Sequence, residues 1–200
     1  MKTLLLVIVT LMAAHCARAD SCCSASAPDE SSTHEIPDHS VFHLDGKWVN
    51  QNGETVKLVD FSGKPSLVTM FFASCGYACP ILIEDMKSLR KQLPEDAQAQ
   101  LNIVLLSFDT ERDTPAALAA FAKQRDLETP PWVLLHGDED VVLETSAVLG
   151  VRFRKDEQGN FAHSNIMTLI DAHGEVAFTL EGLRADPAPM VEAINELLSK

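Results

Sequence analysis

The sequence predicts an α/β domain in which helices flank a mixed central β-sheet, with an N-terminal extension ahead of the domain. From Val41 onward, short segments rich in β-branched and aromatic residues alternate with amphipathic stretches. This alternation is typical of βαβ units around a mostly parallel sheet. The last two strand segments are separated only by the turn-forming sequence Asp-Ala-His-Gly at 171–174, which indicates an antiparallel hairpin. The predicted sheet is therefore mixed.

The length and charge of the chain bound the class of protein. Its 200 residues, 46% hydrophobic and 22% charged, are typical of one globular domain with a targeting segment or a tail. The formal net charge is −13, from 16 Lys and Arg against 29 Asp and Glu. This balance argues against nucleic-acid binding, which needs a basic face, and against docking on anionic lipid. It is compatible with small molecules, metal cations and basic protein partners.

Residues 1–19 predict a signal peptide, and residues 20–40 predict a flexible tether. Lys2 precedes an apolar run over Leu4–Ala14, and Ala17-Arg18-Ala19 offers a small-x-small cleavage site. The run is shorter than the roughly 20 residues that span a bilayer, and an uncleaved membrane anchor is the alternative. The tether is rich in Ser, Ala, Pro and acidic residues. Export to the periplasm or a similar oxidising compartment would let a cysteine pair cycle between thiols and a disulfide.

The domain of residues 41–200 is predicted to hold six main strands and four helices. The strand segments are Thr55–Leu58, Ser66–Phe72, Asn102–Phe108, Trp132–Leu135, Ile166–Ile170 and Val176–Leu180. The helices are Pro80–Leu93, Ala116–Asp126, Glu139–Leu149 and Ala188–Leu198. Pro94 stops the first helix, Asp113-Thr114-Pro115 caps the second, and a small hairpin is expected at Lys155–Asn160. A cysteine loop between strand and helix, with a hairpin and helix at the end, is the thioredoxin arrangement.

Cys75 and Cys79 carry the chemistry of this arrangement. Cys75 lies in the loop after a hydrophobic strand, and Cys79 stands at the start of the following helix. Their i, i+4 spacing brings both side chains onto one face, so the two sulfurs can close a disulfide or converge on one metal ion. The positive end of the helix dipole is expected to favour thiolate over thiol. A plain stabilising disulfide and two buried free cysteines are the structural alternatives.

His163 is the candidate for a third donor. It lies directly ahead of the strand that opens the C-terminal hairpin, a point that faces the cysteine loop in a thioredoxin-like sheet. Two thiolates and one imidazole make a soft, three-coordinate set suited to Cu(I), and with a further donor to Cu(II). Thioredoxins dock their disulfide substrates on a cis-proline near this position. No proline occurs between Pro131 and Pro187, so the sequence argues against general disulfide exchange as the function.

Three separated motifs resemble the Sco/SenC family of copper metallochaperones. They are the Cys75-x-x-x-Cys79-Pro80 loop, the SFDTERDTP segment over 107–115, and His163-Ser164 ahead of Leu169-Ile170-Asp171. The resemblance covers the chain from about Val41 to its end. The family's usual proline after the first cysteine is Gly76 here, and the acid that often precedes the histidine is Ala162.

The resemblance implies a function and a set of site residues. Cys75, Cys79 and His163 would be the copper ligands, and Asp109 would be the family's acidic residue near the site. The chain would be an exported, mostly monomeric copper carrier rather than an enzyme. It would receive copper from a donor protein. It would deliver copper to the copper-site subunit of a respiratory oxidase such as cytochrome c oxidase, or reduce the cysteines of that site. Another copper enzyme could be the client.

Other interpretations of these residues stay open at the level of sequence. The main one is an exported thiol–disulfide oxidoreductase in which Cys75 and Cys79 form the redox-active pair and no metal is delivered. Asp109 could orient a ligand or merely cap the following turn. Cys22 and Cys23, with His34, His39 and His43 downstream, could capture copper for the main site or be an incidental motif on a tail.

Overall fold

The computed structural model describes residues 36–199, which contain nine strands and five α-helices. The strands are β1 (Trp48–Asn50), β2 (Thr55–Val56), β3 (Ser66–Phe71), β4 (Asn102–Ser107), β5 (Trp132–Gly137), β6 (Phe153–Lys155), β7 (Phe161–His163), β8 (Ile166–Ile170) and β9 (Val176–Glu181). The helices are α1 (Ala78–Lys91), α2 (Glu95–Gln100), α3 (Pro115–Gln124), α4 (Glu139–Val148) and α5 (Ala188–Leu198). Short 3-10 turns lie at Val41–His43 and Leu58–Phe61.

Seven strands form one mixed sheet in the order β2-β1-β5-β4-β3-β8-β9. Only β3 with β4 and β4 with β5 run parallel, and the other four pairings are antiparallel. The mixed α/β sheet is confirmed, whereas the expectation of a mostly parallel sheet is wrong. The reason is topological: right-handed helical crossovers connect only the three central strands, and hairpins supply the strands at both edges.

The core lies where helices cover both faces of the central strands. Every residue of β3 is buried, as are five of the six in β4, which explains their nearly continuous apolar sequence. α1 buries Leu82, Met86 and Leu89 on one stripe. Burying each such side chain contributes roughly 1.5–3 kcal/mol. The strand and helix on either side of the cysteine loop are therefore fixed by packing, and the loop is held between two rigid elements.

The six predicted main strands and the four predicted helices agree with the structure to within two residues at each end. The differences concern short elements. The predicted strand over Thr55–Leu58 ends at Val56, because the chain turns at Leu58. Pro94 does stop α1, but it also serves as the N-cap of the unpredicted helix α2. β1 was not predicted, and its Trp48 is buried against Gly137, where a Cβ would lie 3.0 Å from the indole ring.

The small hairpin predicted around Lys155–Asn160 is present as β6 and β7. In the part of the chain that the structure describes, these strands pair only with each other and form a separate two-stranded sheet. Phe153 pairs with His163, so the hairpin carries the third candidate ligand on its second strand. Because the hairpin has no strand pairing to the main sheet, its side-chain contacts and connecting loops must hold it in place.

The N-terminal predictions fall largely outside the described residues. This applies to the signal peptide of 1–19, to most of the tether, and to Cys22, Cys23 and His34. At the end of the tether, Ser40 is buried and its hydroxyl donates to the His173 carbonyl oxygen at 2.7 Å. Within residues 36–199, no helix combines the length and the apolar character needed to span a bilayer.

Candidate metal centre

The cysteine loop connects the buried strand β3 to α1. Its entry is fixed by Asp113, whose carboxylate accepts hydrogen bonds from the Ala73 amide at 2.8 Å and the Ser107 hydroxyl at 2.6 Å. Asp113 is 2% exposed. Burial raises the pKa of this carboxyl, and the two hydrogen bonds oppose that rise. The loop that carries the first thiol is thus anchored to the end of β4 through one buried side chain.

Cys75 and Cys79 are free thiols on the two sides of the helix start. Cys75 is half-buried in the loop, and its Sγ accepts a hydrogen bond from the Cys79 amide at 3.3 Å. The N-cap residue, Tyr77, makes no side-chain capping bond. The Cys75 sulfur therefore satisfies one of the amides that a helix start leaves without an intrahelical partner.

The Cys79 thiol is buried and protonated in the metal-free protein. Its side chain is 1% exposed. Burial raises the pKa of Cys79 well above its usual range, and a backbone hydrogen bond with Phe72 offsets only part of that rise. The sequence-based expectation that the helix dipole favours thiolate is thus wrong for Cys79, because desolvation outweighs the dipole. A metal ion bound here must displace a proton.

His163 is placed opposite Cys79 by the hairpin. Its Nε2 lies 3.7 Å from the Cys79 Sγ, and its Nδ1 lies 2.9 Å from the Ser164 carbonyl oxygen. A carbonyl oxygen can only accept, so Nδ1 must carry the proton. In the neutral ring this leaves the lone pair on Nε2, which faces the sulfur and can bind a metal.

The three side chains form one cluster with metal-binding geometry. The Sγ atoms of Cys75 and Cys79 and a ring nitrogen of His163 all lie within 4.8 Å of one another. At zinc, sulfur binds at about 2.3 Å and imidazole nitrogen at about 2.0 Å, so a sulfur and a nitrogen on one ion are at most about 4.3 Å apart. The observed 3.7 Å between Cys79 and His163 meets that limit. Two sulfurs and one nitrogen are a soft set that fits Cu(I).

Aromatic rings surround His163 on its inner side, and sequence reasoning missed them. Phe108 is central: its ring centroid lies 5.1 Å from that of His163 and 5.0 Å from those of Phe153 and Phe161. Phe72 meets His163 edge-on at 6.0 Å. No local pattern marks these residues as a cluster, because they come from three separate segments of the chain.

Asp109 does not touch the candidate ligands among the contacts of residues 36–199. It is fully buried, accepts from the Arg112 amide at 3.3 Å, and forms an ion pair with the Arg112 guanidinium. These contacts are those of a cap of the following turn, the second of the two sequence-based roles. The predicted cap of α3 is confirmed at Thr114. Thr114 accepts from the Ala117 amide, while Asp113 turns inward to the cysteine loop.

Two histidines that the sequence suggested as possible copper-capturing residues, His39 and His43, are not part of the cluster of Cys75, Cys79 and His163. His39 is exposed, and His43 Nε2 lies 2.9 Å from the Pro37 carbonyl oxygen. The structure thus brings together three of the sequence-predicted site residues, Cys75, Cys79 and His163.

Comparisons with known proteins by sequence agree on one family. A family model described as SCO1/SenC matches residues 38–199. The SCO1 protein homolog of Bacillus subtilis (strain 168) is 27% identical over 141 residues, which cover 69% of this chain and 72% of that protein. The chain spans 63% to 72% of the length of the curated relatives that it matches, and less than two thirds of two of them.

Solved structures confirm the thioredoxin-like fold. Bradyrhizobium japonicum ScoI with copper bound is similar at a TM-score of 0.65 and 22% identity, over 76% of this chain and 96% of that one. BsSco, described as a member of the Sco family of cytochrome c oxidase assembly proteins with a disulfide switch, is similar at a TM-score of 0.67. Its identity is 23%, over 76% of this chain and 91% of that one.

Proposed function

Since the chain belongs to the SCO1/SenC family, we propose that it is a copper metallochaperone. In this function it holds one copper ion between Cys75, Cys79 and His163 and passes the ion to a partner. The observation that carries the proposal is the convergence of these three donors within 4.8 Å. The solved relative with copper bound, Bradyrhizobium japonicum ScoI, supports the choice of metal.

The exposure of the donors suits a cargo site better than a permanent one. Cys79 is buried, whereas Cys75 and His163 are half-buried. A partner's soft ligands could approach from the side of Cys75 and His163 and replace them one at a time, with Cys79 as the last protein donor. Reprotonation of the buried Cys79 thiol, whose pKa is raised by burial, would then oppose recapture of the copper.

The compartment and the client are part of the same proposal. The chain would work outside the cytoplasm, released by signal cleavage or tethered through residues 1–19. Its client would be the copper-site subunit of a respiratory oxidase, or another copper enzyme, and a donor protein would load it. BsSco's description as an oxidase assembly protein supports this choice. Deleting the gene in its host should lower cytochrome c oxidase activity, and added copper should restore part of it. Unchanged activity would remove the oxidase as client.

Copper titration of the reduced protein tests the site itself. With a Cu(I) chelator as competitor, the wild type should hold about one copper per chain, and Cys75→Ser or Cys79→Ser should each abolish tight binding. One thiolate and one imidazole do not supply three soft donors. The matched control is the double variant Cys22→Ser/Cys23→Ser, which should keep one tightly bound copper. Full stoichiometry in either loop variant would move the site elsewhere.

A second candidate function is thiol–disulfide exchange by the same cysteine pair. The observation in its favour is that both cysteines are free thiols within 4.8 Å of each other. Closing the Cys75–Cys79 bond would release two protons and two electrons to an oxidised substrate disulfide, which becomes two thiols. This reaction needs no histidine, and the role of His163 therefore separates the two functions.

A further inference from the structure

The hairpin that carries His163 needs an anchor that strand pairing does not supply. Within residues 36–199, β6 and β7 form strand pairing only with each other, and an isolated two-stranded hairpin is marginally stable in water. The position of Nε2 opposite Cys79 therefore depends on what ties this hairpin to the rest of the domain. Phe108 packs against Phe153 and Phe161 on the two strands, and Lys155 of β6 forms an ion pair with Glu111 at 2.6 Å.

Arg112 contacts the hairpin from a rigid part of the fold. Its Nη2 donates to the Gly159 carbonyl oxygen in the hairpin turn at 2.6 Å. Its guanidinium carbon lies 5.8 Å from the centre of the Phe161 ring, within the range of a cation–π contact. Phe161 is two residues before His163 on the same strand and face. A single side chain thus touches both the turn and the ligand strand.

Asp109 fixes the guanidinium in this position. The carboxylate is fully buried just beyond the end of β4, and it pairs with the Arg112 Nε. The ion pair uses one edge of the guanidinium and leaves the Nη2 group free to reach Gly159. The Arg112 side chain is 42% exposed, so its remaining surface meets solvent. β4 is one of the buried central strands, and the pair therefore links the hairpin to the core of the domain.

We propose that Arg112, oriented by Asp109, is a positioning residue that latches the β6–β7 hairpin and so holds His163 at the metal site. Arg112 touches none of the three donors and acts through Gly159 and Phe161. This also gives Asp109 a role at the site, exerted through the hairpin. The inference rests on the proposed copper function for its metal readouts, while its structural readout is independent of copper.

Arg112→Lys is the discriminating variant. It keeps a positive charge beside the buried Asp109, but a single ammonium group cannot replace the planar guanidinium that pairs with Asp109, reaches Gly159 and covers Phe161 together. The matched control is Arg154→Lys on β6 of the same hairpin. Arg154 is exposed, and no ion pair is found for it among residues 36–199.

Four measurements on the full chain test the latch. Arg112→Lys should weaken Cu(II) affinity by about tenfold, the lower end of what loss of a supporting contact costs, and change the Cu(II) electron paramagnetic resonance spectrum. In the metal-free protein, the amides of residues 153–163 should exchange hydrogen faster. The rate of Cys75–Cys79 oxidation should stay the same. Arg154→Lys should match the wild type in all four.

The outcomes separate failure of the latch from failure of the copper function. Wild-type affinity, spectrum and hairpin exchange in Arg112→Lys would overturn the latch. A wild type that binds no copper would overturn the function, and hydrogen exchange would still test the latch. If Arg112→Lys does not fold, nitrogen-15 NMR of the wild type decides. A slowly exchanging Arg112 Nε–H supports the latch, and one that exchanges like a solvent-exposed arginine overturns it.

Discussion

His163 offers Nε2 to a metal because its Nδ1 is already engaged with the Ser164 carbonyl oxygen. At the scale of single residues, the two cysteines and His163 differ in the chemistry that they can supply. The cysteines alone can close a disulfide, whereas the imidazole completes a coordination set. Only a metal function requires all three.

We expect His163→Ala to keep the dithiol chemistry and to lose metal affinity. Copper binding should weaken by at least about a hundredfold, since even residues that only support a ligand cost 10–100-fold, and the Cu(II) spectrum should change. Copper titration and the thiol-exchange rate are measured on the same sample. Unchanged copper affinity beside a collapsed exchange rate would favour the oxidoreductase over the chaperone.

Copper affinity should depend on pH through Cys79. Burial raises the pKa of this thiol, so it is protonated near neutral pH in the free protein and deprotonated in the complex. Raising the pH therefore favours binding, by about tenfold per pH unit for each proton released. Chelator competition between about pH 6 and pH 8 measures this slope. An affinity independent of pH over that range would contradict a buried, protonated Cys79.

Cys75 and Cys79 could be predicted as candidate ligands because their spacing is local, and His163 could be predicted, although it lies 84 residues from Cys79, because it stands in a family-like motif. Asp113 could not be identified in the same way. Its partner, the Ala73 amide, lies 40 residues away, and in sequence the residue has the form of a helix cap. Phe108 likewise has the sequence of an ordinary strand residue, and only the fold shows that it packs against His163.

At the scale of elements, the β6–β7 hairpin is the part of the site that depends most on packing. Its inner face meets Phe108, which stacks on Phe153 with an angle of 10° between the ring planes. A buried aromatic pair contributes about 0.5–1.5 kcal/mol beyond the area it buries. Loss of the Phe108 ring should therefore loosen the hairpin before it unfolds the domain.

We expect Phe108→Leu to lower the free energy of unfolding by about 1–2 kcal/mol and to weaken copper binding. The control is Phe121→Leu, which removes a ring that packs on Phe71 at 5.4 Å in the core. The control should lower stability by a similar amount and leave copper affinity unchanged. Thermal unfolding and copper titration of both variants provide the comparison. Equal copper affinities in the two would show that the aromatic cluster does not position His163.

The long, periodic elements were predictable, and the short ones were not. β3, β4 and α1 are specified by continuous or regularly spaced apolar residues, whereas β1 and β2 have three and two residues. Such short strands form because β5 offers an edge to pair with, and the sequence does not show that edge. The same holds for strand direction. Helical segments indicated parallel pairing correctly at the centre, but nothing local indicated the antiparallel pairing of β3 with β8.

At the scale of the whole molecule, we expect the redox state of the Cys75–Cys79 pair to decide whether the protein can carry metal. We expect air oxidation to close Cys75–Cys79 and to block copper uptake until a reductant is added, since only thiolates bind the ion. Thiol counts and bound copper are measured in parallel on oxidised and re-reduced protein. Tight Cu(I) uptake by the fully oxidised chain would contradict this coupling.

X-ray absorption at the copper K-edge of the Cu(I)-loaded chain tests the central claim most directly, because it reports the atoms bound to the metal. The geometry of Cys75, Cys79 and His163 predicts a shell of two sulfurs and one nitrogen. The shell should keep both sulfurs and lose its imidazole scattering in His163→Ala. A wild-type shell of oxygen and nitrogen alone, or one with a single sulfur, would contradict a copper site formed by these three residues.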